Sequence, residues 1–181
     1  MKIPLGGLGG GYSAQIDDAD AALVAGYHWG VVRQARNLYA LAHTKRADGK
    51  WRPIKMHRLI RPEIPKIDHK DGNGLNNTRD NLRAATKSQN AANCRAHRDG
   101  SSGFKGVSFR RDRPNPWRAR IFENGREKML GYFATREGAA LAYNNAAIRL
   151  HGEFARLNAI RKPVGRAQAS LPFSESEAMA A

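Results

Sequence analysis

An Asp-His pair and a later asparagine carry the side chains of this sequence that are best suited to chemistry. They are Asp68, His69 and Asn90, in the stretch IDHKDGNGLNNTRDNLRAATKSQN. A carboxylate and a carboxamide supply the oxygen ligands that a hard divalent cation such as Mg²⁺ or Mn²⁺ prefers. An imidazole beside them is suited to accept a proton from water. We therefore expect these groups to form one small hydrolytic site.

A strand, a loop, a second strand and a helix would bring these groups together. We predict strands over 64–69 and 81–85, joined by a polar loop over 70–80 that is rich in Gly and Asn. Thr86, with a glutamine three residues later, forms a T-x-x-Q capping box and predicts the start of a helix. The Asp-His pair then ends the first strand, and Asn90 lies in the first turns of the helix that packs across it.

The charge of the chain indicates a polyanionic partner. The 181 residues include 31 Lys and Arg against 16 Asp and Glu, which gives a net charge of +15. Such an excess attracts polyanions and gives salt-sensitive binding to phosphate backbones. Nucleic acid is the natural partner, although a basic protein that is merely soluble, or a ribosomal one, has a similar composition.

Cysteine content and hydropathy exclude several other classes of protein. The single cysteine, Cys94, rules out an internal disulfide framework and zinc sites built from cysteine pairs. No apolar run approaches the roughly 20 residues of a membrane helix, and the start of the chain lacks the apolar core of a signal peptide. We expect a soluble protein of the cytoplasm that does not contact membranes.

Residues 1–60 form a β-rich N-terminal segment in this interpretation. DDADAALVAGYHW predicts a short helix with an Asp cap, and WGVVRQ, NLYALAHT and WRPIKMHRLI predict strands. We expect a small antiparallel sheet that packs on the central segment, residues 61–98, and presents basic residues such as Arg33, Arg36 and Lys45. The Gly-rich start, GGLGGG, lacks the spacing of a phosphate-binding loop and is interpreted as a turn or strand entry.

The C-terminal part has a different pattern and follows a polar linker, HRDGSS. Over residues 102–158, the C-terminal module, FKGVSFRR, PWRARIF and REKMLGYF predict three strands, and an Asn-Gly turn joins the last two. Thr135 caps an Ala-rich helix that ends at Gly152. Residues 159–181 lack periodicity and are predicted as a disordered tail. The fold class is α+β, with two small sheet-containing parts flanking a central core.

The central motif resembles the HNH endonuclease family, in the phage and intron-encoded homing branch with an H-N-N signature. The matching residues are MHRLI followed by DHKDGNGLNN, NLR and SQN. The resemblance implies a ββα-metal fold in which Asp68 and Asn90 ligate one Mg²⁺ or Mn²⁺ per active site. It makes His69 the general base, and Asn81 a residue that acts structurally or orients His69. Asn76 and Asn77 are interpreted as loop formers, and the role of His57 stays open.

The C-terminal module is similar to the plant apetala-two/ethylene-response-factor DNA-binding domain. KGV, W-x-A-x-I, LG-x-F-x-T, EGAALAY and G-x-x-A-x-LN carry this resemblance. It implies a three-stranded sheet laid in the major groove, with the helix behind it. Six aromatic residues of the module are interpreted as core and not as base-stacking residues: Phe104, Phe122, Tyr132, Phe133, Tyr143 and Phe154. The candidate DNA-binding residues are Arg110, Arg111, Arg113, Trp117, Arg118, Arg120, Arg126 and Lys128.

Together these features predict a metal-dependent endonuclease that hydrolyses double-stranded DNA and leaves 5′-phosphate and 3′-hydroxyl ends. One site per chain would nick as a monomer or make a double-strand break as a homodimer, in the cytoplasm of a bacterial or phage-infected cell. A non-catalytic, sequence-specific regulator with a relic HNH core is the alternative. A nuclease directed at RNA is a third interpretation, but a sheet that reads a major groove fits B-DNA better. The target sequence and the metal used in cells stay open.

Overall fold

The computed structural model describes residues 1–8, 10–96 and 100–160. Part of the predicted linker and nearly all of the predicted tail lie outside the described residues. The elements are mixed, with small antiparallel sheets in every part of the chain, which confirms the α+β class. In the described ranges, no helix is both long and apolar enough to cross a bilayer.

The N-terminal segment contains a hairpin, a short helix and a three-stranded sheet. The hairpin flanks the Gly-rich stretch, and the three strands of the sheet lie side by side in chain order. The elements are β1 (Lys2–Leu5), β2 (Tyr12–Gln15), α1 (Ala21–Val24), β3 (Gly30–Gln34), β4 (Asn37–Lys45) and β5 (Trp51–Lys55).

Two local predictions for this segment differ from the structure. WRPIKMHRLI is a strand only as far as Lys55, because MHRLI forms a short helix, α2 (Met56–Ile60), that buries Met56, His57 and Ile60. Asp17 is at the N-cap of the helical turn that precedes α1, but its side chain makes no capping hydrogen bond. Its carboxylate instead accepts a hydrogen bond from the backbone N of Arg79 at 2.7 Å, and so ties the segment to the central loop.

The central part has the predicted strand, loop, strand and helix. Strands β6 (Ile67–His69) and β7 (Leu82–Ala84) are antiparallel and shorter than predicted, and they precede α3 (Lys87–Asn93). The capping box of Thr86 is confirmed, with both of its reciprocal hydrogen bonds present. These elements form the ββα unit.

One hydrophobic cluster extends through the N-terminal segment and the ββα unit. Val24, Trp29 and Met56 are buried in the same cluster as Leu82, and Ile67 packs against it. The N-terminal segment therefore supplies most of the apolar surface on which the ββα unit folds. The boundaries of the domains stay a prediction.

The C-terminal module is a three-stranded sheet with a helix packed on one face. Its strands β8 (Val107–Phe109), β9 (Trp117–Glu123) and β10 (Arg126–Phe133) lie in the order β10-β9-β8, and α4 (Arg136–His151) begins after Thr135 as predicted. Buried alanines let α4 lie close to the sheet. A Cβ at Gly106 would lie 2.2 Å from the Tyr143 ring and 2.4 Å from the Arg120 carbonyl oxygen, so this position requires glycine.

Candidate active site

The β6–β7 hairpin and α3 place the predicted catalytic side chains around one cavity. Asp68 and His69 end β6 and are only 4% and 6% exposed. Both line a cavity of about 560 Å³, and Asn90 lines it from α3. The structure thus brings the three side chains to one cavity, although Asn90 is distant in sequence from the Asp-His pair.

The carboxylate of Asp68 is held in a fixed orientation. Its Oδ2 accepts a hydrogen bond from Nε of Arg83 at 3.0 Å. Nδ2 of Asn93 lies 3.1 Å from both carboxylate oxygens and donates to the His69 carbonyl oxygen at 2.7 Å. Oδ1 has Asn93 as its hydrogen-bond partner and retains capacity for a further ligand, since a carboxylate oxygen accepts more than one bond.

Asn93 is a site residue that the sequence motif did not indicate. It lies one helical turn after Asn90 and is buried, whereas Asn90 is exposed at the cavity. The two asparagines therefore occupy different environments on the same helix. The spacing of three residues could have indicated a second inward-facing carboxamide, because residues three apart lie on one side of a helix.

His69 is oriented by Asn77 in this structure. Its Nε2 lies 3.4 Å from Oδ1 of Asn77, which is fully buried at 0% exposure. The Asn77 amide nitrogen donates to the Leu75 carbonyl oxygen at 3.2 Å, which identifies Oδ1 as the atom facing His69. Because Oδ1 only accepts, Nε2 carries the hydrogen, and Nδ1 is left as the proton acceptor. The interpretation of Asn77 as a loop former alone missed this contact.

Asn81 contacts the loop that follows β6. Its Oδ1 accepts from the backbone N of Asp71 at 3.1 Å, and its Nδ2 donates to the Asp71 carboxylate at 3.1 Å and the Asn76 carbonyl oxygen at 2.7 Å. These bonds correspond to the structural alternative predicted for Asn81. The other predicted role of Asn81 was to orient His69 by a side-chain hydrogen bond. In this structure Asn77 makes that bond.

Two aromatic rings enclose the His69 imidazole. The rings of His57 and Tyr39 pack edge-on against it, with centroids at 5.1 Å and 5.9 Å. Burial lowers the pKa of His69 below its ordinary 6.5 and lowers the pKa of His57 to about 3. Both imidazoles are therefore neutral at pH 7, which is the form that accepts a proton.

Acidification should destabilise the protein through His57. Below pH 6.5 the unfolded chain protonates this histidine, whereas the folded protein does not until about pH 3. Stability should fall by roughly 1.4 kcal/mol per pH unit over that window. His57→Gln should reduce the slope, measured by urea unfolding from pH 7 to pH 4. The exposed His43→Gln is the matched control, and an unchanged slope in His57→Gln would contradict the assignment.

The cavity has a positive rim. Among the described residues that line it, Asp68 is the one acidic residue. Five basic residues also line the cavity: Arg36, Lys55, Arg58, Lys66 and Arg95. A cavity lined by this excess of basic over acidic residues attracts a phosphodiester backbone.

The predicted DNA-binding residues of the C-terminal module lie on different surfaces. Arg118 and Arg120 alternate with the buried Ala119 and Ile121, so they occupy the face of the sheet opposite α4. Glu127 forms ion pairs with both arginines. The exposed connection between β8 and β9 carries Arg110, Arg111 and Arg113.

The remaining residues of that set lie on the helix side. Trp117 packs against the cluster of Val107, Ala119 and Ala139, a placement that favours a structural role over the predicted DNA contact. Arg126 and Lys128 are opposite Glu123 and Ile121, and Lys128 pairs with Glu123.

Two aromatic residues of the module differ from their predicted core positions. Phe122 is 53% exposed, because it alternates with buried residues on β9 and lies on the outer face beside Arg120. Phe154 is buried, but in a cluster with Ala85 and Ala92 of the ββα unit.

A ββα unit with a buried Asp-His pair in a basic cavity is the architecture of a nuclease-type protein. The HNH endonuclease family model matches residues 56–92. The chain belongs to the HNH endonuclease family.

Individual relatives each match a part of the chain. An uncharacterized HNH endonuclease of Acanthamoeba polyphaga mimivirus is 39% identical over 115 residues, which are 59% of this chain and 58% of that protein. Protein 3.8 of Escherichia phage T7 is 35% identical over 108 residues, 58% of this chain and 88% of its own length. APETALA2-like protein 2 of Oryza sativa subsp. indica is 41% identical over 64 residues, 35% of this chain and 14% of that protein. No solved structure matches the chain significantly.

Proposed function

We propose that this protein is a metal-dependent DNA endonuclease of the homing or phage type, acting in the cytoplasm of a bacterial or phage-infected cell. The observation that carries the proposal is the convergence of Asp68, His69 and Asn90 on one cavity with a basic rim. Family membership supports a nuclease-type function on DNA. The dependence on Mg²⁺ or Mn²⁺, the homing type and the role of each residue are the finer parts of the proposal.

The donor set of the cavity fits a hard cation. Among the residues that the structure describes, no three His, Cys, Asp or Glu side chains form a metal-binding group. A cation here would therefore be held by the Asp68 carboxylate, the Asn90 carboxamide, water and the DNA phosphate. Bound Mg²⁺ or Mn²⁺ would stabilise the negative charge that develops on the phosphate during hydrolysis.

The residues of the chain then have separate tasks. Nδ1 of His69 accepts the proton of the attacking water, while Asn77 holds the ring through Nε2. Arg83 and Asn93 keep the Asp68 carboxylate oriented towards the cavity. Neutral Asn90 contributes an oxygen without adding negative charge near the phosphate. The products would carry 5′-phosphate and 3′-hydroxyl ends.

The asparagines of α3 should respond differently to substitution. Asn90→Ala should weaken Mn²⁺ binding by about tenfold or more, with little change in stability, since Asn90 is exposed. Asn93→Ala should lower the free energy of unfolding by roughly 1–3 kcal/mol, because it removes a donor from Asp68 and from the His69 carbonyl oxygen. Mn²⁺ titration by electron paramagnetic resonance and urea unfolding measure the two effects. Wild-type Mn²⁺ affinity in Asn90→Ala would exclude it as a ligand.

The outer face of the C-terminal sheet is the proposed reading surface for double-stranded DNA. Arg118 and Arg120 lie there with exposed Phe122, and an arginine can bond guanine or phosphate through two donors. The similarity to APETALA2-like proteins supports this assignment. Contact of this face with the major groove is part of the proposal.

Glu127 should restrain this surface. Because it pairs with Arg118 and Arg120, Glu127→Gln frees both guanidinium groups for phosphate. Non-specific DNA affinity should rise by roughly tenfold at 0.1 M salt, and the salt dependence should steepen by about one phosphate contact. Fluorescence anisotropy at several salt concentrations measures both. Glu137→Gln, which removes a pair on α4, is the control. An unchanged salt slope would show that Glu127 does not restrain the arginines.

A plasmid-nicking assay tests the proposed function. Supercoiled DNA is incubated with the full chain and Mg²⁺ or Mn²⁺, with EDTA as the control, and the ends of the products are sequenced. Metal-dependent conversion to nicked or linear DNA is the expected result. If no cleavage occurs with either metal while DNA binding persists, the chain is a non-catalytic DNA-binding regulator with a relic HNH core.

A further inference from the structure

The C-terminal module contacts the ββα unit through the short turn that follows α4. This 3₁₀ turn, Gly152–Phe154, places the Phe154 ring against Ala85 and Ala92. The module's own hydrophobic clusters, which contain Ala119 and Tyr143, do not include Phe154 among the residues that the structure describes. Phe154 is therefore buried by the contact between the C-terminal module and the ββα unit.

Arg83 extends this contact to the candidate metal ligand. Its guanidinium carbon lies 3.7 Å from the centroid of the Phe154 ring, and Nη1 donates to the Glu153 carbonyl oxygen at 3.0 Å. The same side chain donates through Nε to Asp68. Arg83 is only 11% exposed, so one desolvated guanidinium joins the turn to the active site.

Two further basic residues fasten the module to α3 and to the central loop. Lys105 donates through Nζ to the carbonyl oxygens of Ala91 and Ala92, near the C-terminal end of α3. Carbonyl groups at this end of a helix lack partners within the helix and favour a cation. Arg156 donates through its backbone N to Ala92 at 3.3 Å and through Nη1 to the Asp71 carbonyl oxygen at 2.9 Å.

These residues form the docking interface: Lys105, Glu153, Phe154 and Arg156 on one side, and Asp71, Arg83, Ala85, Ala91 and Ala92 on the other. We propose that this interface holds the DNA-reading sheet and the nuclease site as one rigid unit, and that it fixes the distance from the recognised sequence to the cut. The second part of this inference, the fixed distance to the cut, rests on the proposed function. The docking itself is independent of catalysis.

If a flexible linker joined the two parts without the docking interface, the distance from the recognised sequence to the cut would depend on the length of the linker. Six residues, 97–102, behaving as a random coil would span roughly 13 Å, or about four base pairs of B-DNA. Inserting 12 Gly and Ser residues would raise that span to roughly 23 Å, or about seven base pairs. A docked module is insensitive to such an insertion, because its position is set by contacts and not by the length of the linker.

The first experiment maps the cut relative to the recognised sequence. DNA fragments retained by the full chain in EDTA define the recognised sequence, and end sequencing after addition of Mg²⁺ gives the cut position. Three variants are compared with the wild type: a 12-residue insertion before Gly100, the double substitution Phe154→Ala/Arg156→Ala, and the exposed control Leu141→Ala on α4.

If the module is docked, the wild type, the insertion variant and Leu141→Ala should all cut at one fixed position. In the double variant the cuts should spread over several base pairs. Spreading in the insertion variant, or a fixed position in the double variant, would overturn the proposal. Lys105→Met is a second undocking variant, which is needed if thermal melting shows that the double variant fails to fold.

The second experiment does not depend on cleavage. ¹⁵N relaxation of the full chain reports the rotational correlation times of residues 1–96 and of residues 102–158. The same correlation time for both parts of the wild type, and different times in the double variant, would support the docking. Two different times in the wild type would overturn it. If no DNA is cut, the proposed function fails, and this measurement still decides whether the module is docked.

Discussion

Replacing His69 with alanine should slow DNA cleavage by about 10²- to 10⁴-fold, the usual contribution of a general base. The imidazole ends β6 inside the basic cavity, and Asn77 leaves its Nδ1 free to accept a proton. DNA affinity should stay within about twofold of wild type, because the positive rim and the C-terminal sheet are untouched. Single-turnover cleavage and fluorescence anisotropy measure the two quantities separately.

The pH dependence of the cleavage rate, and a control substitution of an exposed histidine, complete this test. Burial lowers the pKa of His69 below 6.5, so the wild-type rate should be insensitive to His69 protonation above pH 7 and fall only as the medium becomes more acidic than pH 6.5. His43→Ala removes an exposed histidine of β4 and should cleave as the wild type does. Wild-type rates in His69→Ala would end its assignment as the base.

Asp68→Asn should abolish tight Mn²⁺ binding and lower the cleavage rate by at least about 10²-fold, because it removes the charged ligand from the cavity. It should also destabilise the fold by roughly 1–3 kcal/mol, since Arg83 loses a buried partner but keeps its contact with Glu153. Electron paramagnetic resonance of Mn²⁺ and urea unfolding measure the two effects.

Asp48→Asn controls for the loss of one negative charge, since Asp48 lies in an exposed turn remote in sequence from the motif. It should bind Mn²⁺ as the wild type does. Retention of Mn²⁺ binding and cleavage by Asp68→Asn would show that this carboxylate is not a ligand. The proposed hydrolytic site would then have to be abandoned.

Local signals predicted much of the fold. The capping box at Thr86, the cap at Thr135 and the glycine at 152 are confirmed, because each depends on hydrogen bonds or backbone angles within a few residues. The alternation of β9 places Phe122 on the outer face with Arg118 and Arg120, although Phe122 was predicted to be a core residue. The order of elements in the ββα unit followed from the same kind of information.

Features that depend on distant contacts were harder to predict. MHRLI was predicted to continue a strand, but it forms α2, whose Met56 and Ile60 are buried in the core shared with Val24 and Leu82. Asn77 and Asn93 look like the neighbouring loop and helix asparagines, and their importance follows from burial against His69 and Asp68. Phe154 resembled a core residue of its own module, and its partners lie much earlier in the chain, in the ββα unit.

The apolar cluster that the N-terminal segment shares with the ββα unit limits how the proposed nuclease site could be shortened or transplanted. Excised alone, residues 61–98 would expose Leu82 and Ile67 to water and lose the partners that give the hairpin its shape. The smallest unit that should carry the proposed nuclease site to a different reading domain is therefore residues 1–96. A graft that lacks a counterpart of Phe154 would leave Ala85 and Ala92 exposed to water. A new DNA-binding domain must therefore supply an aromatic residue that covers them.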